Sequence, residues 1–221
     1  MNPSGYQITD RVLSSPACDA LLDALSSGPG SRSRAGRRHL MSHPAVASLS
    51  RRDELLAIAR GWLGAGAVPY RATLFEKSGD RNWLVVAHQD TTLPLAAPTR
   101  SSEWGPWSVK EGVTYGYAPT WALSHILALR IHLDASTPDN GPLRVIPGSH
   151  LHGVLSDDEV FRMARERPWV ECLVGRGGVL AMRPLLIHAS SKARTPDPRR
   201  VLHLEYAASL HLGPGLSLTL A

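Results

Sequence analysis

His88 and Asp90 stand two residues apart, behind an apolar run, Trp83-Leu84-Val85-Val86-Ala87. On an extended strand residues i and i+2 face the same way, so this imidazole and this carboxylate can grip one metal ion from the same side. His188 closes another apolar run, Leu185-Leu186-Ile187, where a buried imidazole needs a partner. Two histidines and one carboxylate on one face of an octahedron leave the other positions open, which is the ligand set of non-haem Fe(II) oxygenases. Arg199, at the start of a further strand, is a permanent cation entering a buried element. It needs an anion, and a carboxylate fits its two-pronged fork. A metal triad with a buried arginine suits 2-oxoglutarate, whose keto-acid end chelates iron while its far carboxylate pairs with the arginine.

The elements that must position these residues fall into two parts. Residues 1–66 read as a helical N-terminal part. Ser14-Ser15-Pro16-Ala17 is a helix start, with Leu21, Leu22 and Leu25 as its apolar stripe and Ser27-Gly28-Pro29-Gly30 as its stop. Residues 27–43 read as a polar loop. A second helix is expected over 52–62, with Leu55, Leu56, Ile58 and Ala59 inward and Gly61 and Gly64-Ala65-Gly66 ending it.

From residue 67 the period shortens. Strands are expected over 68–77, 83–88, 125–134, 143–147, 169–174, 178–182, 185–188 and 200–207. Ser78-Gly79-Asp80 reads as a turn between the first two. Ser156-Asp157-Asp158-Glu159 is a capping box opening a short helix to about Arg165. Alternation along Arg199–Tyr206 places Arg199, His203 and Glu205 on one face, and Arg200, Leu202, Leu204 and Tyr206 on the other. Residues 91–122, rich in Pro, Gly and aromatic rings, read as irregular. They are either a lid over the site or a set of rings capping the core. Short strands after two helices point to a mainly β (α+β) fold, and no linker tract or repeat divides the 221 residues, so a single domain is expected.

Composition narrows the class. With 43% apolar and 19% charged residues the chain is globular, and its 17 Pro and 19 Gly favour many turns over a helical bundle. No apolar run is long enough to span a membrane, and the N-terminus carries no secretory pattern. Cys18 and Cys172 alone cannot build a disulfide scaffold, so two free thiols in a reducing cytoplasm are expected. The net charge of +5 owes much to Arg32, Arg34, Arg37, Arg38, Arg51 and Arg52. No aromatic residues interleave with them for base stacking, so they read as a solvated face and not as a nucleic-acid surface.

Taken together, His88-Gln89-Asp90, Asn140-Gly141-Pro142 leading to Pro147-Gly148-Ser149-His150, His188-Ala189-Ser190 and Arg199 resemble the phytanoyl-CoA dioxygenase family. The resemblance runs from about residue 70 to 208. It implies a double-stranded β-helix (jelly-roll) core over 67–208, with 91–122 as an insertion. It implies Fe(II) on His88, Asp90 and His188, and 2-oxoglutarate on Arg199 and Ser190, with Gln89, Thr73 and Arg130 as further cosubstrate positions. The implied reaction consumes O2 and 2-oxoglutarate, releases succinate and CO2, and hydroxylates a C–H bond. Asp90 stands where related halogenases carry a small residue, so oxygen transfer is expected and not halogenation. The aromatic residues of 91–122 would suit an apolar or ring-containing small molecule. A cupin-like metalloprotein acting as isomerase or hydrolase would keep the triad without needing Arg199. A non-enzymatic jelly-roll binding protein would need no metal.

Overall fold

The computed structural model describes residues 2–26, 32–33, 36–78 and 81–221. The helix stop expected at 27–30, the turn residues Gly79 and Asp80, and Arg34 lie outside these residues, as do the side chains of Arg32 and Ser33.

Two sheets form the frame. The larger runs, in spatial order, β1 (Tyr6–Thr9), β12 (Val179–Met182), β9 (Ile126–His132), β14 (Arg199–Ala207), β4 (Val68–Lys77), β3 (Gly36–Arg37) and β2 (Arg32–Ser33). The smaller runs β11 (Val170–Cys172), β10 (Leu143–Val145), β13 (His188–Ser190) and β5 (Val85–His88). Every strand pair in them is antiparallel. This is the jelly-roll that the family resemblance implies.

One face of the large sheet is greasy because its strands alternate. Leu127, Leu129 and Ile131 of β9 and Leu202, Leu204 and Tyr206 of β14 point outward. They pack on α1 (Ser15–Ser26), α2 (Pro44–Leu49) and α3 (Asp53–Leu63). Each such side chain contributes roughly 1.5–3 kcal/mol by leaving water. The Tyr206 hydroxyl, which could not be buried unpaired, donates to the Ser50 carbonyl at 2.7 Å. The opposite face of the same strands is polar, carrying Arg130 and His132 on β9 and Arg199, His203 and Glu205 on β14, all buried. The alternation expected for β14 is the one observed.

Other expectations shift. α2 falls between the expected loop and the expected second helix, and begins at Pro44, a residue at home in a helix's first turn. Gly61 does not end α3, which runs to Leu63 and stops at Gly64 with φ 89°. Within the supposed loop before it, Gly36–Arg37 pairs with β4, and Leu40 and Met41 are buried. Leu185–Ile187 is not strand; β13 begins at His188 itself.

The largest departure is 91–122. It is not irregular: β6 (Thr92–Leu95), β8 (Val113–Tyr117) and β7 (Trp107–Lys110) form a three-stranded sheet, followed by α4 (Thr120–Leu123). The hairpin from β7 to β8 turns on Glu111 and Gly112, with φ 51° and 80°. Positive φ at both central residues matches the twist of the flanking strands, so Glu-Gly does here what Asn-Gly does more often. Trp104 and Tyr115 are buried and Trp107, Tyr117 and Trp121 partly exposed. Trp104 sits in a second apolar cluster with Tyr70, Leu93, Leu95 and Leu123.

α5 (Asp157–Glu166) begins with the expected capping box. Glu159 N–H donates to Ser156 Oγ, and Ser156 N–H donates to Glu159 Oε2. Its Val160 and Met163 pack with Ile146, Ile187 and Ala87 behind the small sheet.

Candidate metal centre

β5 and β13 are hydrogen-bonded neighbours, and His88 lies directly opposite His188. The next pairing is Ser190 with Val85, so β5 carries one residue more than β13 over this interval. That bulge lets Val85 and His88, three apart, both face the barrel interior. Asp90 lies just past the strand and not on it, and its N–H is held by the Pro184 carbonyl at 2.9 Å. The two-residue spacing therefore works across a strand end, not along an extended strand as expected.

The three side chains converge. Asp90 Oδ1 is 3.6 Å from His88 Nε2, and Asp90 Oδ2 is 3.6 Å from His188 Nε2. One candidate ligand atom from each residue lies within 4.8 Å of the others. His88 Nδ1 sits 2.8 Å from the Val86 carbonyl and His188 Nδ1 2.9 Å from the Leu186 carbonyl. A carbonyl can only accept, so each Nδ1 carries the proton and each Nε2 turns a lone pair to the centre. His188 is 4% exposed; burial pushes its pKa down to about 4, keeping it neutral and able to ligate. Asp90 is 40% exposed on the side facing the cavity. Burial raises its carboxyl, but His188 and His88 outweigh that and hold it well below the usual carboxylate range.

A cavity of about 100 Å³ extends from the triad. Arg130, Arg199 and Lys77 line it, and among the described residues Asp90 is the one acidic residue in its wall. Arg199 spends Nε on the Asn140 carbonyl at 3.2 Å and leaves Nη1 buried with no acceptor among the described residues. Arg130 donates from Nη1 to His203 Nδ1 at 3.1 Å and leaves Nε unpaired. His203 is held from its other nitrogen by Glu205 at 3.2 Å. Lys77 Nζ donates to Ser190 Oγ at 2.8 Å and to the Ser191 carbonyl at 2.5 Å. Burial, with Arg199 and Arg130 adding to it, pushes the Lys77 ammonium down to about 7. Unpaired buried donors are costly. Three cations with spare donors around one cavity fit a compact polyanion.

Of the expected residues, Ser190, Arg130 and Arg199 line this cavity with the triad. Thr73 is buried opposite His203, in the inner row between Phe75 and Arg71, but is not part of the lining. Gln89 is a correction. Its amide nitrogen donates to the Gly153 and Leu185 carbonyls, and its amide oxygen accepts from Leu155 N–H. It faces away from the cavity and ties the metal-ligand segment to the loops behind it. Lys77 was missed. Its place on β4 was legible, since Arg71, Thr73, Phe75 and Lys77 share one face, but its pairing with Arg199 across the ladder was not. Phe75, Trp83, Val85 and Leu143 complete the wall, and no described residue of 91–122 belongs to it.

The sequence profile of the phytanoyl-CoA dioxygenase family matches residues 2–201. No curated protein sequence matches the chain. Among solved structures the fold is similar to AviO1 from Streptomyces viridochromogenes Tue57, 22% identical, over 93% of this chain and 90% of that one, TM-score 0.67. It is similar to EctD from S. alaskensis with 2-oxoglutarate and 5-hydroxyectoine, 21% identical, over 94% and 73%, TM-score 0.69. It is also similar to HygX from Streptomyces hygroscopicus with nickel and 2-oxoglutarate bound, 17% identical, over 93% and 83%, TM-score 0.67.

Proposed function

The chain belongs to the phytanoyl-CoA dioxygenase family and is an Fe(II)- and 2-oxoglutarate-dependent oxygenase; from that premise we propose that His88, Asp90 and His188 hold the metal and that Lys77, Arg130, Ser190 and Arg199 hold the cosubstrate. The observation carrying this reading is that a His-Asp-His triad and three cations with unspent donors share one small cavity. When bound, Fe(II) and 2-oxoglutarate would together activate O2, one atom of which would enter succinate as CO2 leaves and the other a substrate C–H bond.

The chain's own residues do the positioning. The Val86 and Leu186 carbonyls fix both imidazoles in the ligating tautomer. Arg199 Nη1 and the Lys77 ammonium stand ready for the distal carboxylate of the cosubstrate, with Ser190 between them. The Glu205–His203–Arg130 chain holds the Arg130 guanidinium against that cavity. Phe75, Trp83, Val85 and Leu143 exclude water from the reacting face.

The substrate is a small molecule, and we read it as apolar or ring-containing. Support comes from Trp83 and Val85 beside the triad, with the exposed Leu84 and Val86 next to them. EctD, whose structure holds 5-hydroxyectoine, is a precedent for a small organic ligand in this fold. We also place the protein in the cytoplasm, in keeping with its two free buried cysteines; among the described residues no helix is long and apolar enough to cross a membrane.

The test is succinate release from 2-oxoglutarate by Fe(II)-loaded protein across a small-molecule panel. His188→Ala should lower turnover at least about 100-fold, as loss of supporting or direct metal contacts does. Undiminished succinate formation by His188→Ala would overturn the assignment.

A further inference from the structure

A second cavity, of about 430 Å³, lies where α3 ends and the chain leaves β12. It shares no lining residue with the triad cavity. Its volume is within the range, roughly 300–1,000 Å³, of sites that enclose small organic ligands. Trp62, Leu63, Leu123 and Leu185 give it an apolar wall.

One formal cation stands in that wall. The Arg183 guanidinium lies over the Trp62 ring, 5.3 Å from its centroid. It donates to the carbonyls of Ser124 at 3.0 Å, Ile126 at 3.1 Å and Trp62 at 3.4 Å. Three carbonyls and a ring face hold the group still without neutralising it. Nε and one Nη2 hydrogen have no protein acceptor among the described residues. Among the described residues no Asp or Glu lines the cavity, and burial accounts for the lowered pKa of Arg183. A half-buried cation without a counter-ion is unfavourable. A rigid cation at one pole of an apolar cavity is matched by a ligand with one negative head and an apolar body.

We propose that this cavity is a second small-molecule site, for an organic carboxylate whose head pairs with Arg183 and whose apolar body lies against Trp62, Leu63 and Leu123. The site is set apart from the chemistry but touches its support. Pro184, in its wall, accepts the Asp90 N–H, and Gly153 and Leu185, also in its wall, accept the Gln89 amide. An occupant therefore rests against the back of the segment that presents His88 and Asp90. The inference needs neither metal nor cosubstrate to hold.

Calorimetric titration of the full chain with octanoate and, separately, octanol tests it, with excess 2-oxoglutarate present to fill the other cationic cavity. Octanoate should bind saturably at one site and roughly tenfold more tightly than octanol. Leu151, a rim residue 69% exposed, allows a charge test without threatening the fold. Leu151→Asp should weaken octanoate roughly three- to tenfold and Leu151→Lys should strengthen it, with octanol unmoved by either. Arg183→Met should erase the preference for octanoate; if that variant does not fold, the Leu151 pair still decides. Displacement of octanoate by 2-oxoglutarate, equal binding of the two probes, indifference to the charge at Leu151, or no saturable binding would each overturn the proposal. Because the Leu151 readout belongs to this cavity alone, a failure of the oxygenase assignment would leave the result intact.

Discussion

Lys77 shows how one side chain can set the pH behaviour of a binding site. Its ammonium is buried between Ser190, the Ser191 carbonyl and two arginines, and burial with those two charges pushes it down to about 7. A dianionic cosubstrate favours the charged form, so the bound-state pKa must be higher. Below pH 7 Lys77 is already protonated and affinity for 2-oxoglutarate should be level. Above 7 each binding event must take up a proton, so affinity should fall by up to about tenfold per pH unit until the bound-state pKa is reached. Calorimetry from pH 6 to 9, in buffers of different ionisation enthalpy, reads both the affinity and the proton uptake. Lys77→Met should weaken binding roughly tenfold or more at pH 6.5 and flatten the pH profile. A flat profile in the unsubstituted protein would mean that Lys77 stays charged throughout. At this scale His88, Asp90 and His188 were legible as a candidate metal set because their residue types carry the chemistry themselves. Lys77 was not, because its role depends on Arg199 lying across the ladder from it.

Among the elements, β5 and α5 decide whether the triad assembles. The extra residue in β5 turns Val85 and His88 to the same side, and α5 supports that strand from behind through Val160 and Met163. The capping box at Ser156 satisfies first-turn N–H groups that would otherwise lack partners. Ser156→Ala should cost about 1 kcal/mol of stability, seen as a lower urea midpoint with an unchanged slope. Affinity for 2-oxoglutarate should stay within about twofold, because Ser156 reaches no group in the triad cavity. A larger loss of affinity would show that α5 tunes the site as well as bracing it. The capping box could be read directly from Ser-Asp-Asp-Glu, since its partners are three residues apart. The bulge could not, because a bulge is a relation between two strands about a hundred residues apart in sequence.

For the molecule as a whole, the large sheet separates two environments. Leucines on its outer face pack under the N-terminal helices, while arginines, histidines and Glu205 fill the interior. Burying that charge is unfavourable without ligands, so metal and cosubstrate should stabilise the fold. At concentrations 100 times the dissociation constant the gain should be about 2.7 kcal/mol, or roughly 5–10 °C in melting temperature for a chain of this size. Thermal melts with Ni(II) and 2-oxoglutarate, alone and together, measure this. His188→Ala should lose the metal-dependent part of the shift, and an equal shift in that variant would place the metal elsewhere.

The sequence by itself determined the mainly β fold class and the inner and outer faces of β14, and it singled out His88, Asp90, His188 and Arg199, which line one cavity. These follow from local period and from residue types whose chemistry allows few uses: leucines at every second position must be buried, and a strand-borne arginine must find an anion. Only the tertiary structure decided that Gln89 faces away from the metal, that Lys77 joins Arg199 and that 91–122 is a sheet. It also brought the Arg183 guanidinium, with no counter-ion among the described residues, to the wall of a second cavity. Each of these depends on which distant backbone a side chain meets, and that partner is set by the closure of the two sheets, not by any neighbour along the chain.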